Sequence, residues 1–217
     1  AGSSAYYTVQ PEETGVVLRF GKYVRESGPG LHFKLPLGIE TATKVKTQRV
    51  YKEEFGFRSA QSGIRSRSTD RGYSEEALML TGDLNVLDVK WILQFKIKDP
   101  QKWLFAVRDG RAAIRDLSEA TMRSIVGNHR YVDDKAEEFG SIIGAKALDA
   151  LQKLLDDYNT GVQITTLNLE KVLPPKPVLP ALNEVNEARQ QQERMINEAE
   201  EAYNREIPKA RGNAKRM

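Results

Sequence analysis

Val86-Leu87-Asp88-Val89-Lys90-Trp91-Ile92-Leu93-Gln94-Phe95-Lys96-Ile97 is the stretch from which the fold can be read. Leu87, Val89, Trp91, Leu93, Phe95 and Ile97 occupy alternate positions, with Asp88, Lys90, Gln94 and Lys96 between them. Successive side chains of a strand point to opposite faces, so the pattern predicts one buried face and one wet face. Asp99-Pro100 stops the strand, because proline has no N–H to give to a ladder. Upstream, Glu76-Ala77-Leu78-Met79-Leu80-Thr81-Gly82-Asp83 reads as a shorter strand closed by a Gly-Asp turn. Together they imply an antiparallel sheet whose dry face is free for helices.

Helical periodicity begins downstream, at Ala112. Ile114, Leu117, Thr121, Ile125 and Val126 share a stripe that Gly127-Asn128 closes. A second helix is expected from a cap at Asp133-Asp134, carrying Phe139, Ile142, Ile143, Leu148, Leu151, Leu154 and Leu155 inward until Gly161. Val162 and Ile164 then alternate in one phase and Leu167 and Leu169 in the other, which implies a bulge near Thr165-Thr166 in a final strand. Leu173-Pro174-Pro175-Lys176-Pro177 ends the globular part.

Residues 1–57 are β-rich. Tyr6 to Val9 and Val16 to Phe20 read as strands separated by Pro11-Glu12-Glu13-Thr14-Gly15, and Ser27-Gly28-Pro29-Gly30 turns into the alternating run Leu31-His32-Phe33-Lys34-Leu35. Leu31, Phe33, Leu35, Leu37 and Ile39 therefore surround a hairpin. Their side chains either enter an interfacial lipid layer or fill the small core of this subdomain. Residues 58–74 mix Ser, Gly and Gln with Arg58, Arg65, Arg67 and Arg71 and read as a mobile surface loop, either simply solvated or facing an anionic partner. Residues 75–175 form the α/β part and 176–217 the start of a long helix. In that helix Val185, Ala188, Gln192, Met195, Ala199 and Ala202 step by threes and fours, a heptad-like seam of mostly small residues. With so little apolar surface the helix is held by lateral packing between copies or by docking on its own domain. A kink or break is expected at Pro208.

The composition narrows the chemistry. In 217 residues, Lys+Arg 33 against Asp+Glu 30 leaves a net charge of +3, too small an excess for a dedicated nucleic-acid binder. With no cysteine, disulfides and thiolate chemistry drop out. His32 and His129 are the only imidazoles, a poor basis for a metal centre or a histidine-based triad. The pairs Glu53-Glu54, Glu75-Glu76, Asp133-Asp134, Glu137-Glu138 and Asp156-Asp157 are read as caps or solvated faces. Gly28-Pro29-Gly30 is too short to cradle phosphate. No catalytic, cofactor or metal site is expected, and a hydrolase using His32 or His129 is the weaker alternative. The opening Ala1-Gly2-Ser3-Ser4-Ala5 does not resemble a signal peptide and reads as a cut within a longer protein.

Several stretches also resemble a known family. Thr8-Val9-Gln10-Pro11-Glu12-Glu13, Gly15-Val16-Val17-Leu18-Arg19-Phe20-Gly21-Lys22-Tyr23 and Gly28-Pro29-Gly30-Leu31-His32 are similar to the opening of the SPFH (band 7) domain of stomatins, prohibitins, flotillins and the bacterial HflK and HflC proteins. Glu76 to Asp83 with Val86, Asp88, Val89 and Asp99-Pro100, and the tail run Asn183 to Arg189 with Ala202-Tyr203, Pro208, Ala210 and Gly212, bring it nearest the HflK branch. The match is weakest over 58–74. The resemblance implies an α+β fold, with a β-rich first subdomain resting on lipid, an antiparallel sheet packed by two helices, and a coiled-coil-like C-terminal helix. It further implies a non-enzymatic, single-pass scaffold of the bacterial inner membrane with this domain on the periplasmic side. Its partners would be further copies of itself, an HflC-like paralogue, membrane lipids and an FtsH-like protease that the ring or cage surrounds, with no nucleic acid. A generic stomatin-like microdomain scaffold is the alternative.

Overall fold

The computed structural model describes residues 5–59, 68–69, 74–131 and 135–214. The alternating apolar stretch is β10 (Val86–Ile97), and its burial alternates as the side-chain period of two requires. Along one edge it pairs antiparallel with β11 (Val162–Leu173); along the other it pairs with β6 (Tyr51–Phe55) and, nearer its start, β9 (Leu78–Leu80). Register shifts on β11 fall at two places. One skips Thr165, at the expected bulge. The other skips Glu170, where the sequence carries no change of phase.

The dry face of this sheet is covered by α3 (Gly110–Gly127) and α4 (Ala136–Asp157), which bury Ile114, Met122 and Val126 and Phe139, Ile143, Leu151 and Leu155. Trp91 lies at the centre. Its ring stacks on Phe55 with centroids 4.5 Å apart, and its indole N–H donates to Ser118 Oγ at 3.1 Å. A buried indole needs that acceptor.

Several local expectations are corrected. Asp99-Pro100 ends the strand but also opens α2 (Pro100–Phe105): Asp99 accepts from the Lys102 N–H at 3.0 Å, and Pro100 takes the helical position where no N–H is needed. Glu76-Ala77 belong to a single helical turn, α1 (Ser74–Ala77), so the strand begins only at Leu78. α3 starts before Ala112 because Asp109 caps it through the Ala112 N–H. The N-cap position of α4 is Lys135, without a side-chain bond, and Asp133-Asp134 lie outside the described residues. Ile142 is 43% exposed and faces outward. Residues 58–74, read as loop, include the paired strands β7 (Arg58–Ser59) and β8 (Ser68–Thr69).

The first layer holds two small sheets. β1 (Tyr6–Val9) pairs with β4 (Gly30–Phe33), and β3 (Lys22–Ser27), β2 (Thr14–Arg19) and β5 (Glu40–Val45) form a three-stranded sheet in the order β3-β2-β5. Its own core is small: Tyr7, Val9 and Val17, with Ala42 against them. Val16 and Val45 face instead into a cluster with Ile97 of β10, backed by Trp103 and Leu104 of α2. Residues 1–173 accordingly form one compact unit.

Residues 174–217 form the second unit. A short 3-10 turn, Lys176–Val178, leads into α5 (Leu179–Ala214), a helix of 36 residues. The helix continues through Pro208, where a break was among the expectations.

Candidate functional site

The two-stranded β1–β4 sheet sorts its side chains by parity. Tyr7 and Val9 turn inward, so Tyr6, opposite Phe33, and Leu31, opposite Thr8, turn outward. Tyr6 is 59% exposed, Leu31 60% and Phe33 72%. The chain then runs over Leu35 and Leu37, also exposed, and Ile39, half-buried. None of the five predicted apolar residues Leu31, Phe33, Leu35, Leu37 and Ile39 enters the core of this layer.

Two bulky side chains stand at turn tips in left-handed backbone: Phe20 at φ 49° and Leu37 at φ 64°, 80% and 84% exposed. That conformation is uncommon for such residues and costs on the order of 1–2 kcal/mol each. The Phe20 N–H donates to Ile39 O at 3.0 Å, which ties the two turns together. Tyr6, Phe20, Leu31, Phe33, Leu35 and Leu37 thus make an apolar rim, and exposed patches of this kind mark interaction sites. Tyr6 and Phe20 are absent from the residues the sequence suggests. Phe20-Gly21 carried a signal, an aromatic residue placed at the end of a strand where glycine makes the turn.

A buried carboxylate sets the shape of the rim. The Glu40 side chain is 1% exposed, while Arg19 and Arg25 above it are 47% and 40% exposed. Arg19 donates to Glu40 Oε1 from Nε at 3.2 Å and Nη2 at 2.9 Å. Arg25 reaches Oε2 at 3.2 Å and also donates to Phe33 O at 2.8 Å. The Leu35 N–H donates to Oε2 at 3.1 Å. The Arg19 bond chiefly, then the Leu35 N–H and Arg25, outweigh desolvation and bring the carboxyl down from 4.5 to about 2. The carboxylate therefore fixes both ends of the Phe33–Glu40 segment.

Elsewhere, polar groups serve structure. Glu53, expected on an exposed face, is 7% exposed and bound by Arg111 and Arg115 of α3; Arg115 lies 4.7 Å from the centre of the Phe55 ring and also reaches Glu76. Asp83 sits in the β9–β10 turn. Burial pushes its carboxyl up, but bonds from Thr81, the Tyr131 N–H and Asn85 outweigh this and hold it below its usual range. His32 lies within β4, not at a hairpin tip, and its Nε2 donates to Gly28 O at 2.7 Å. His129 Nδ1 donates to Ile125 O at 2.7 Å, which leaves Nε2 to accept from Lys146 Nζ at 2.7 Å. An open groove of about 900 Å³ between α4 and β11 is lined largely by Gly140, Ser141, Gly144, Ala145 and the strand. Among the described residues no cluster of carboxylates and imidazoles could hold a metal ion, and no helix is long and apolar enough to cross a membrane.

The α5 residues Val185, Ala188, Gln192, Met195, Ala199 and Ala202 are all exposed. Arg58 begins β7, and Arg65, Arg67 and Arg71 lie outside the described residues.

The sequence pattern of the SPFH domain / Band 7 family matches residues 7–202. The chain belongs to this family. As an SPFH-domain chain it is 44% identical over 208 residues to the protein HflK of Treponema pallidum, covering 95% of this chain and 62% of that one. It is 32% identical to HflK of Borreliella burgdorferi over 96% of this chain and 66% of that protein. To the protein of Escherichia coli named "Modulator of FtsH protease HflK" it is 28% identical, over 99% of this chain and 46% of that one. The chain thus spans only part of each of these relatives.

Proposed function

We propose that this SPFH-domain chain is part of a non-enzymatic membrane scaffold that limits the access of an FtsH-like membrane protease to its substrates. The observation that carries the reading is the match, over nearly the whole chain, to a protein whose name makes it a modulator of that protease. In this reading further copies and an HflC-like paralogue join it in a ring or cage in the bacterial inner membrane. A single membrane helix anchors each copy, and the SPFH domain lies on the periplasmic side. The apolar rim supports contact with lipid: each side chain moved from water into the interfacial layer contributes about 1.5–3 kcal/mol when fully buried. Leu31, Phe33, Leu35, Leu37 and the half-buried Ile39 are the contacts, joined by Phe20 and Tyr6.

The test is co-reconstitution of the full-length protein, its paralogue and the protease in bilayers. Degradation of a membrane-embedded substrate is expected to slow several-fold when the assembly is present, with degradation of a soluble unfolded substrate less affected. Unchanged turnover of the membrane substrate would remove the regulatory part of the proposal.

A further inference from the structure

We propose that the groove between α4 and the outer edge of β11 takes an extended segment of another polypeptide, which adds to the sheet as an antiparallel strand. The proposal goes beyond the scaffold reading and does not depend on it. β11 is the end strand of its sheet, paired with β10 on one side only. The Ile164 N–H donates to Gln152 Oε1 of α4 at 2.8 Å, and the Val162 carbonyl accepts from Gln152 Nε2 at 3.2 Å. Residues of this parity therefore turn their polar backbone away from β10. Past the bulge at Thr165 the same parity passes to Leu167 and Leu169, which stand opposite Leu93 and Trp91. Among the described residues, nothing bonds the outward N–H and C=O of these two leucines.

An amide already occupies this edge where α4 offers one. Gln152 gives Val162 and Ile164 the donor and acceptor that a neighbouring strand would give, so the chain itself shows what the edge accepts. An unpaired edge is a template for a further strand.

Beyond Gln152 the helix supplies a wall and no partner. α4 runs antiparallel to β11: a Cβ on Gly144 would stand 3.1 Å from Leu169 Cδ1 and 3.7 Å from Leu167 O, and one on Gly140 3.9 Å from Val172 Cγ2. With Ser141 and Ala145 these glycines line an open groove of about 900 Å³. A strand lying beside β11 needs about 4.8 Å. The small side chains of the wall leave its inward-facing residues room for branched apolar groups.

Charge adds a second requirement. The end of the groove away from Gln152 carries Glu137 of α4 and Glu170 of β11, and neither makes an ion pair with a described residue. Lys171 lines the same end, but the register sets it beside Lys90. Two carboxylates against one lysine select a basic residue there, which in antiparallel pairing is the N-terminal end of the incoming segment. Antiparallel pairing is the more stable per residue and also fixes which amides bond. Incoming residues opposite Leu167 and Leu169 exchange hydrogen bonds with them and turn their side chains toward α4. The residues between bond nothing on β11. The partner is thus an extended segment with branched apolar residues at alternate positions and a lysine or arginine before them.

The probe is acetyl-Lys-Val-Thr-Val-Thr-amide carrying a C-terminal fluorophore, titrated by polarisation against the full-length protein in nanodiscs. Saturable binding is expected, weakened several-fold when the lysine is replaced by glutamate. N-methylation of both valines removes the bonding N–H groups and is expected to weaken binding at least about tenfold, whereas N-methylation of both threonines should change it less than about twofold. Ala145→Trp, at an exposed position of the wall, fills the groove and is expected to abolish binding at unchanged melting temperature. Should that variant unfold, the methylated pair, which alters only the probe, decides. No saturable binding, as when another copy already covers the edge, would overturn the proposal. Equal losses from the two methylated peptides, or the greater loss from the threonine one, would overturn it as well. Peptide binding is read without the protease, so neither result bears on the scaffold reading.

Discussion

At Glu40 one carboxylate organises an entire loop. The carboxyl sits at about 2 in the folded chain against 4.5 when unperturbed, so the unfolded chain holds this proton more tightly. Its contribution to stability is complete above about pH 4.5 and is lost as the pH falls through that value towards 2. Glu40→Gln is expected to lower the melting temperature at neutral pH, with the gap to the parent chain closing as the pH falls through that window. An offset that stayed constant across it would show that the charge has no part in the effect. Glu53 teaches a related lesson about what a sequence conceals. Its partners Arg111 and Arg115 follow 58 and 62 residues later, so an acidic pair that looks solvated in the primary structure contains a buried carboxylate, Glu53, that gains its arginines only once α3 packs on the sheet.

Elements were legible where one side-chain period ran unbroken. β10 announced itself because six large apolar residues from Leu87 to Ile97 recur at every second position. α3 and α4 were visible through the helical period, yet Ile142 was assigned inward by adjacency to Ile143 when the helix turns it out to water. α2 was missed because Pro100 both ends a strand and starts a helix, and the first role hides the second. The bulge at Thr165 showed as a change of phase, while the one at Glu170 lies in a polar stretch with no phase to change. Gly161 joins α4 to β11 at φ 71°, and its carbonyl accepts from the N–H groups of Lys98 and Asp99 at 2.8 and 3.0 Å. A Cβ there would meet the Asp99 carbonyl and lie 2.9 Å from Lys102 Cβ. Gly161→Ala is therefore expected to cost about 1–3 kcal/mol, seen as a lower denaturant midpoint at unchanged slope.

On the scale of the whole molecule, the rim keeps features that stability alone would not favour. Phe20 and Leu37 combine strained backbone with almost full exposure. Asparagine tolerates the left-handed region, so Phe20→Asn with Leu37→Asn is expected to leave stability unchanged or raise it by up to about 1 kcal/mol. Binding to anionic or zwitterionic vesicles should fall at least about tenfold, since two inserted side chains are lost. A clear loss of stability instead would mean that these tips support the core. The family and the α+β architecture were readable from the opening motifs and β10 together. The rim was readable only in part, because which of two apolar parities faces out depends on pairing between β1 and β4 across an intervening sheet.

Val16, Val45 and Ile97 close the dry joint between the first layer and the α/β layer, each no more than 5% exposed. That shared cluster is where the two layers meet, so a surface that tilts the rim acts on the strand running into β11's sheet through these three side chains.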